Sequence, residues 1–72
     1  MIEVRSEFVG TVALHHVEVG IVLDHDDAIL DIECMKVLLT VRAPEAGRVS
    51  RLAALGEVVG QGDVVAVIED GG

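Results

Sequence analysis

Two stretches decide the fold: GIVLDHDDAILDIE at residues 20–33 and GEVVGQGDVVAVIE at residues 56–69. Laid over each other they match at Gly20/Gly56, Val22/Val58, Asp27/Asp63, Ile32/Ile68 and Glu33/Glu69. Upstream of each, VRSEFVGTV at 4–12 lies over VRAPEAGRV at 41–49, matching Val4/Val41, Arg5/Arg42, Gly10/Gly47 and Val12/Val49. Residues 4–33 and 41–69 are therefore two copies of one pattern, differing by one residue in length between the blocks. Two copies are too few for a solenoid, whereas two halves closing on each other as one pseudo-symmetric sandwich or barrel fit the repeat.

Within each copy, β-branched runs are bounded by Gly, Asp and Pro and show no 3.6-residue period, which reads as short strands separated by turns. The pattern predicts strands near 2–5, 10–18, 28–33, 37–42, 47–53 and 64–69, with shorter pieces at 22–23 and 58–59. Alternation is clearest where Ala28, Leu30 and Ile32 are expected to face inward, set against Asp31 and Glu33. RLAALGEVV at 51–59 has room for one helical turn, but Gly56 and Gly60 argue against a longer helix.

Size and composition narrow the function. A chain of 72 residues makes one domain, expected over 1–72, and at that size folding buries only about 60% of the surface of the unfolded chain. A deep catalytic cleft is not expected. With Phe8 as the sole aromatic residue, the core must be built from Val, Leu, Ile and Ala, which suits thin layers of strands. Thirteen acidic residues against five basic ones give a formal charge of −8, which repels phosphate backbones and anionic lipid surfaces, so neither nucleic acid nor membrane is expected as a partner. The first residues, MIEVRSEFVG, lack the basic flank and long apolar stretch of a secretion signal, and no apolar run reaches the ~20 residues needed to span a bilayer. Cys34, the single cysteine, cannot form an internal disulfide. A cytoplasmic location is expected.

Lys36 is the only lysine beside four arginines, Arg5, Arg42, Arg48 and Arg51. It lies in the link between the copies, 34–40, which the symmetry places at the end of the domain opposite both termini. A lone amine makes acylation unambiguous, and a site far from any tether suits a group that must reach into other proteins. The dipeptide Met35-Lys36 lacks the Gly or Asn that tight hairpin turns prefer, so propensity alone runs a strand through it; a local rule broken inside a consistent pattern is what a functional site can look like.

Glu33-Cys34-Met35-Lys36-Val37 resembles the E-x-M-K-M attachment site of biotinyl domains in biotin-dependent carboxylases. The frame around it is similar too: Gly20 stands sixteen residues before the lysine, Ala43-Pro44 and Gly47-Arg48-Val49 look like the family's A-P-x-x-G-x-V, and Gly56, Val59, Gly62, Asp63 and Ile68 resemble its closing segment. The likeness covers about 4–69. Three positions depart from it: Val37 stands where biotinyl domains have Met and is closer to lipoyl domains, Asp26 replaces a Gly that the second copy retains as Gly62, and Ile21 replaces Asp. Asp tolerates a left-handed backbone better than most residues, so the turn at Asp26 can survive.

The resemblance implies an all-β flattened barrel-sandwich of two four-stranded antiparallel halves with pseudo-twofold symmetry. It also implies a non-catalytic carrier subunit of a multi-component carboxylase, with biotin attached covalently to Lys36 and Glu33, Cys34, Met35 and Val37 forming its immediate setting. The implied partners are biotin protein ligase and the biotin carboxylase and carboxyltransferase components. The cofactor performs the chemistry while the domain supplies reach and orientation. Two other readings stay open: a lipoyl carrier for acyl or aminomethyl transfer, and an unmodified interaction module of the same fold.

Other signals are weaker. His15, His16 and His25 with Asp24, Asp26 and Asp27 show no recognised metal-ligand spacing, and the adjacent histidines should point to opposite faces of a strand, so surface or loop histidines are expected. No cation or helix N-terminus is evident beside Cys34 to activate its thiol, and it reads as a small filler. The acid clusters lack a nucleophile or base partner.

Overall fold

The alternation of short apolar runs with Gly- and Asp-rich turns produces eight strands among the residues that the computed structural model describes, 1–70. They are β1 (Ile2–Arg5), β2 (Gly10–His15), β3 (Val22–Leu23), β4 (Ala28–Cys34), β5 (Val37–Arg42), β6 (Gly47–Leu52), β7 (Val58–Val59) and β8 (Val64–Glu69). The last two residues of the domain expected over 1–72 lie outside the described residues. Every strand expected from the sequence is present, within one residue at its boundaries except where β2 ends at His15, short of the expected 18. Residues 16–21 leave the ladder because the chain crosses here to the other sheet: the Gly20 amide donates to the Val49 carbonyl and the Val49 amide to Ile21. Residues 51–59 hold no helix, and the Glu57 amide closes a turn on the Ala54 carbonyl.

The strands form two antiparallel four-stranded sheets, ordered β1-β8-β6-β3 and β5-β4-β2-β7. Replacing each strand by its counterpart in the other copy turns the first order into the second, so the repeat is a spatial pseudo-twofold and each sheet takes two strands from each copy. The sheets form a flattened sandwich rather than a closed barrel. Irregularities obey the symmetry as well. The β2–β4 register shifts between Val12 and Leu14, and the β6–β8 register between Val49 and Arg51. The β4–β5 shift between Ala28 and Leu30 matches the β1–β8 shift opposite Val64 and Ala66.

That last bulge corrects the expected alternation in β4. Two residues oppose one at a bulge, which breaks the period of two. Ile29 and Leu30 are both fully buried, with Ile32, while Ala28 is only half-buried. Asp31 points away from the core yet is also buried, beneath the side chains of His16 and Thr40 that bond to it. Glu33 is exposed, as expected. Val65, Ala66 and Ile68 repeat the arrangement in β8, and Val4, Val12, Leu23, Val41, Ala43, Val49, Ala53 and Val59 join them in the core.

Repeated glycines mark where paired strands within each sheet approach most closely. A Cβ on Gly10 would collide with the Glu33 carbonyl oxygen and lie 2.7 Å from the Ile32 Cγ2. A Cβ on Gly47 would meet the equivalent Ile68 Cγ2 and lie 2.5 Å from the Glu69 carbonyl oxygen. Asp26 and Gly62, counterparts in the two copies, both hold left-handed backbone, with φ of 74° and 89°. Arg42 and Arg5 cap these two turns alike, donating to the Asp26 and Gly62 carbonyls.

Candidate functional site

The hairpin between β4 and β5 is closed by two residues only. Cys34 pairs with Val37 at its end, Glu33 with Leu38 and Ile32 with Leu39, leaving Met35 and Lys36 as the whole loop. Both have positive φ, 52° and 67°, the signature of a type I′ turn, whose twist matches that of the flanking strands. Side chains other than Gly, Asn or Asp rarely sit there because Cβ crowds the following carbonyl, at roughly 1–2 kcal/mol per residue. The hairpin register forces the geometry on residues that disfavour it.

The consequence is exposure. Met35 is 92% exposed, Lys36 and Val37 are exposed, and Cys34 is half-buried at the strand end. Among the described residues Lys36 makes no hydrogen bond or ion pair. β5 carries the chain away from the turn for six residues, about 20 Å at strand spacing, to the loop leading into Gly47, which lies against Glu69. Met1 and Asp70 are ion-paired at that same far end, 3.5 Å apart. Lys36 and the Met1–Asp70 pair therefore occupy opposite ends of a molecule 38 Å long and 19 by 18 Å across. The five residues expected at the site, Glu33 to Val37, are brought together as one strand end, turn and strand start.

Sequence reasoning missed a polar cluster behind the turn, and the expectation of surface or loop histidines needs correcting for His15. Asp31 lies on the outer side of β4, opposite Leu14 and Thr40. Its Oδ1 accepts from the Thr40 hydroxyl at 2.8 Å and from His16 Nε2 at 2.8 Å; an ionised carboxylate can only accept, so Nε2 carries the hydrogen. These two side chains cover Asp31. The Thr40 hydrogen bond, foremost, and the His16 bond and charge hold its carboxyl below the ordinary aspartate range against the opposing effect of burial. His15, half-buried, donates from Nε2 to the Ala53 carbonyl at 2.6 Å, tying β2 to the chain beyond β6. His16 and His25 are both exposed and lie in loops, as expected. The available signal was an Asp inside an apolar run opposite a Thr, with a His on the neighbouring strand. Among the described residues no group of three or more His, Cys, Asp or Glu is placed to hold a metal ion.

Comparison with known proteins agrees with this geometry. Residues 2–68 match the family model for the biotinyl/lipoyl domain, described as "Biotin-requiring enzyme". The chain is 36% identical over 67 residues to urea amidolyase of Saccharomyces cerevisiae, a match covering 92% of this chain and 4% of that protein. In three dimensions it is similar to urea carboxylase of Kluyveromyces lactis, with a TM-score of 0.89 and 32% identity over 94% of this chain and 6% of that one. It is also similar to the lipoyl domain of the 2-oxoglutarate dehydrogenase complex from Azotobacter vinelandii, with a TM-score of 0.79 and 29% identity over the full length of both. The chain thus spans a small fraction of the first two proteins and the whole of the third. With the eight-stranded pseudo-symmetric sandwich and the lysine-bearing turn, these matches establish that the chain belongs to the biotinyl/lipoyl attachment domain family, a family of carrier domains.

Proposed function

We propose that the chain carries biotin on Lys36 and moves a carboxyl group between two active sites of a biotin-dependent carboxylase. The observation that carries this reading is the turn: the only lysine of the chain sits in one of two left-handed positions at a hairpin tip where glycine would relieve strain. Strain retained at an exposed tip is intelligible if the amine there is needed. In the attachment step the Lys36 amine attacks the acyl carbon of biotinyl adenylate. An N–C bond forms, the C–O bond to phosphate breaks, AMP leaves with the electron pair, and the amine gives up a proton. No acid or base on the carrier is needed, because the partner enzymes supply them. When bound, biotin supplies the atom that takes up a carboxyl group at one centre and yields it at another. The type I′ turn fixes the base of the arm, and the lysine chain supplies its reach. In this reading the partners are biotin protein ligase and the biotin carboxylase and carboxyltransferase centres, and the free thiol of Cys34 fits a reducing cytoplasm.

Biotin is preferred to lipoate because of Met35, whose exposed thioether gives a ligase an apolar, adaptable contact beside the amine. Val37 and the likeness to a lipoyl domain favour the second reading, lipoate on the same lysine. Intact mass of the chain expressed in its own host separates them, with biotinylation expected. Lys36→Arg should show no added mass and no streptavidin signal; labelling that persists in this variant overturns the assignment of the site. With purified ligases in competition, Met35→Asp should be biotinylated more slowly and Val37→Met at least as fast as wild type. Faster lipoylation of wild type would leave the carrier standing and exchange the cofactor.

A further inference from the structure

The pseudo-twofold supplies an internal control: a surface feature present on one sheet and absent from its mate is not required by the fold. On the outer face of β5-β4-β2-β7, residues paired across strands share one side. One row is Leu14, Asp31 and Thr40, and the next is Val58, Thr11, Glu33 and Leu38. On the mate sheet the counterparts are Arg51, Val67 and Glu3, then Val22, Arg48, Glu69 and Met1. Where one face carries Arg51, Arg48 and Glu3, the other carries Leu14, Thr11 and Thr40. Exposed Leu38 and Val58 have apolar counterparts in Met1 and Val22, so the contrast lies in charge and in Leu14, 45% exposed, standing where the mate sheet has Arg51. Asp31, the anion at the centre of the face, is covered by His16 and Thr40. Between the turn and Arg42, which is held by the Asp26 carbonyl, the one uncompensated charge on this face is Glu33.

We infer that this outer face is the docking surface for the ligase that modifies Lys36, the contacting part of the ligase being apolar with a cationic side chain opposite Glu33. The inference rests on the reading of Lys36 as the attachment site. Charge selects the partner's chemistry: an anion beside exposed Leu and Val is matched by an apolar patch rimmed with Arg or Lys. Position selects the event. Leu14 and Asp31 lie about 13 Å behind the turn at strand spacing, on the sheet whose central hairpin ends in Lys36, so a partner seated there holds the amine at a constant distance from its own active site. A second copy of the chain fits less well, since each would bring Glu33 and a charge of −8 to the same contact.

The test uses the purified 72-residue chain, a purified biotin protein ligase, biotin and ATP. Leu14→Arg and Thr11→Arg place on this face the residues their counterparts carry on the mate sheet, so the backbone is known to accept them there. Each should raise KM for the chain about tenfold, because an arginine would be driven into an apolar contact, while Arg51→Leu on the mate sheet should not change it. Amide NMR of wild type with the ligase in the absence of ATP reads the footprint without any substitution, and broadening is expected at Leu14, Leu38 and Val58 but not at Val22 or Arg51. Unchanged KM in both variants, an equal effect of Arg51→Leu, or a footprint confined to 33–38 overturns the docking surface while wild-type biotinylation keeps Lys36 as the site. Wild type left unmodified overturns both.

Discussion

At the scale of single residues, Asp31 shows how a polar group can sit inside an apolar strand without penalty. Each of its hydrogen bonds joins a different strand or loop to β4, so removing one exposes a buried carboxylate as well as losing a contact. Thr40→Val should lower stability by about 1–2 kcal/mol at neutral pH, measured by urea unfolding, and should raise the Asp31 pKa, measured by side-chain carbon NMR. The sign of the pH dependence follows from the direction of the shift. A carboxyl held below its unfolded value contributes stability that is fully present above the unfolded pKa, near 4, and is lost as pH falls through the folded one. Wild type should therefore lose more stability than Thr40→Val on going from neutral pH to the acid side of about pH 4. Equal acid sensitivity in the two proteins would show that Asp31 is not the group responsible.

Among the elements, the β4–β5 hairpin stands out as the place where local preference and function disagree. Six paired positions impose the two-residue loop, and the loop imposes left-handed backbone on Met35 and Lys36. Lys36→Gly should therefore stabilise the domain by roughly 0.5–1 kcal/mol in thermal or urea unfolding, the relief of left-handed crowding less the greater entropy of glycine in the unfolded chain, while abolishing attachment. A destabilised Lys36→Gly would mean that the lysine side chain makes contacts that matter to folding. The opposite case is Gly10, where β2 and the neighbouring β4 lie too close for a Cβ. Gly10→Ala should destabilise by about 1–3 kcal/mol, and Gly47→Ala by a similar amount because the same contact recurs in the other copy.

For the molecule as a whole, the pseudo-twofold places Lys36 and the described chain ends at opposite poles. Both ends of the chain that the structure describes meet at the pole opposite the turn, and the core lies between. A cofactor on the tip adds little burial to Ile32, Val12, Val49 or Ile68, so modified and unmodified forms should share one fold. Amide shifts should change mainly at 33–39; widespread changes around those core residues would show that the cofactor packs back on the domain.

The repeat, the strand positions and the attachment motif could all be read from the sequence, because each depends on local order: matched glycines and acids at fixed spacing, β-branched runs, and a lone lysine between copies. The tertiary structure decided what depends on pairing. Burial of Ile29 beside Leu30 comes from a bulge that single-strand alternation does not contain. The end of β2 at His15 comes from the chain crossing between sheets. The exchange of strands between copies, and the contrast in charge between one outer face and its mate, exist only once partners across strands are known. The left-handed turn at Met35-Lys36 belongs here too, since nothing in those two residues favours it: the hydrogen-bonded register of the strands on either side outweighs their own preference.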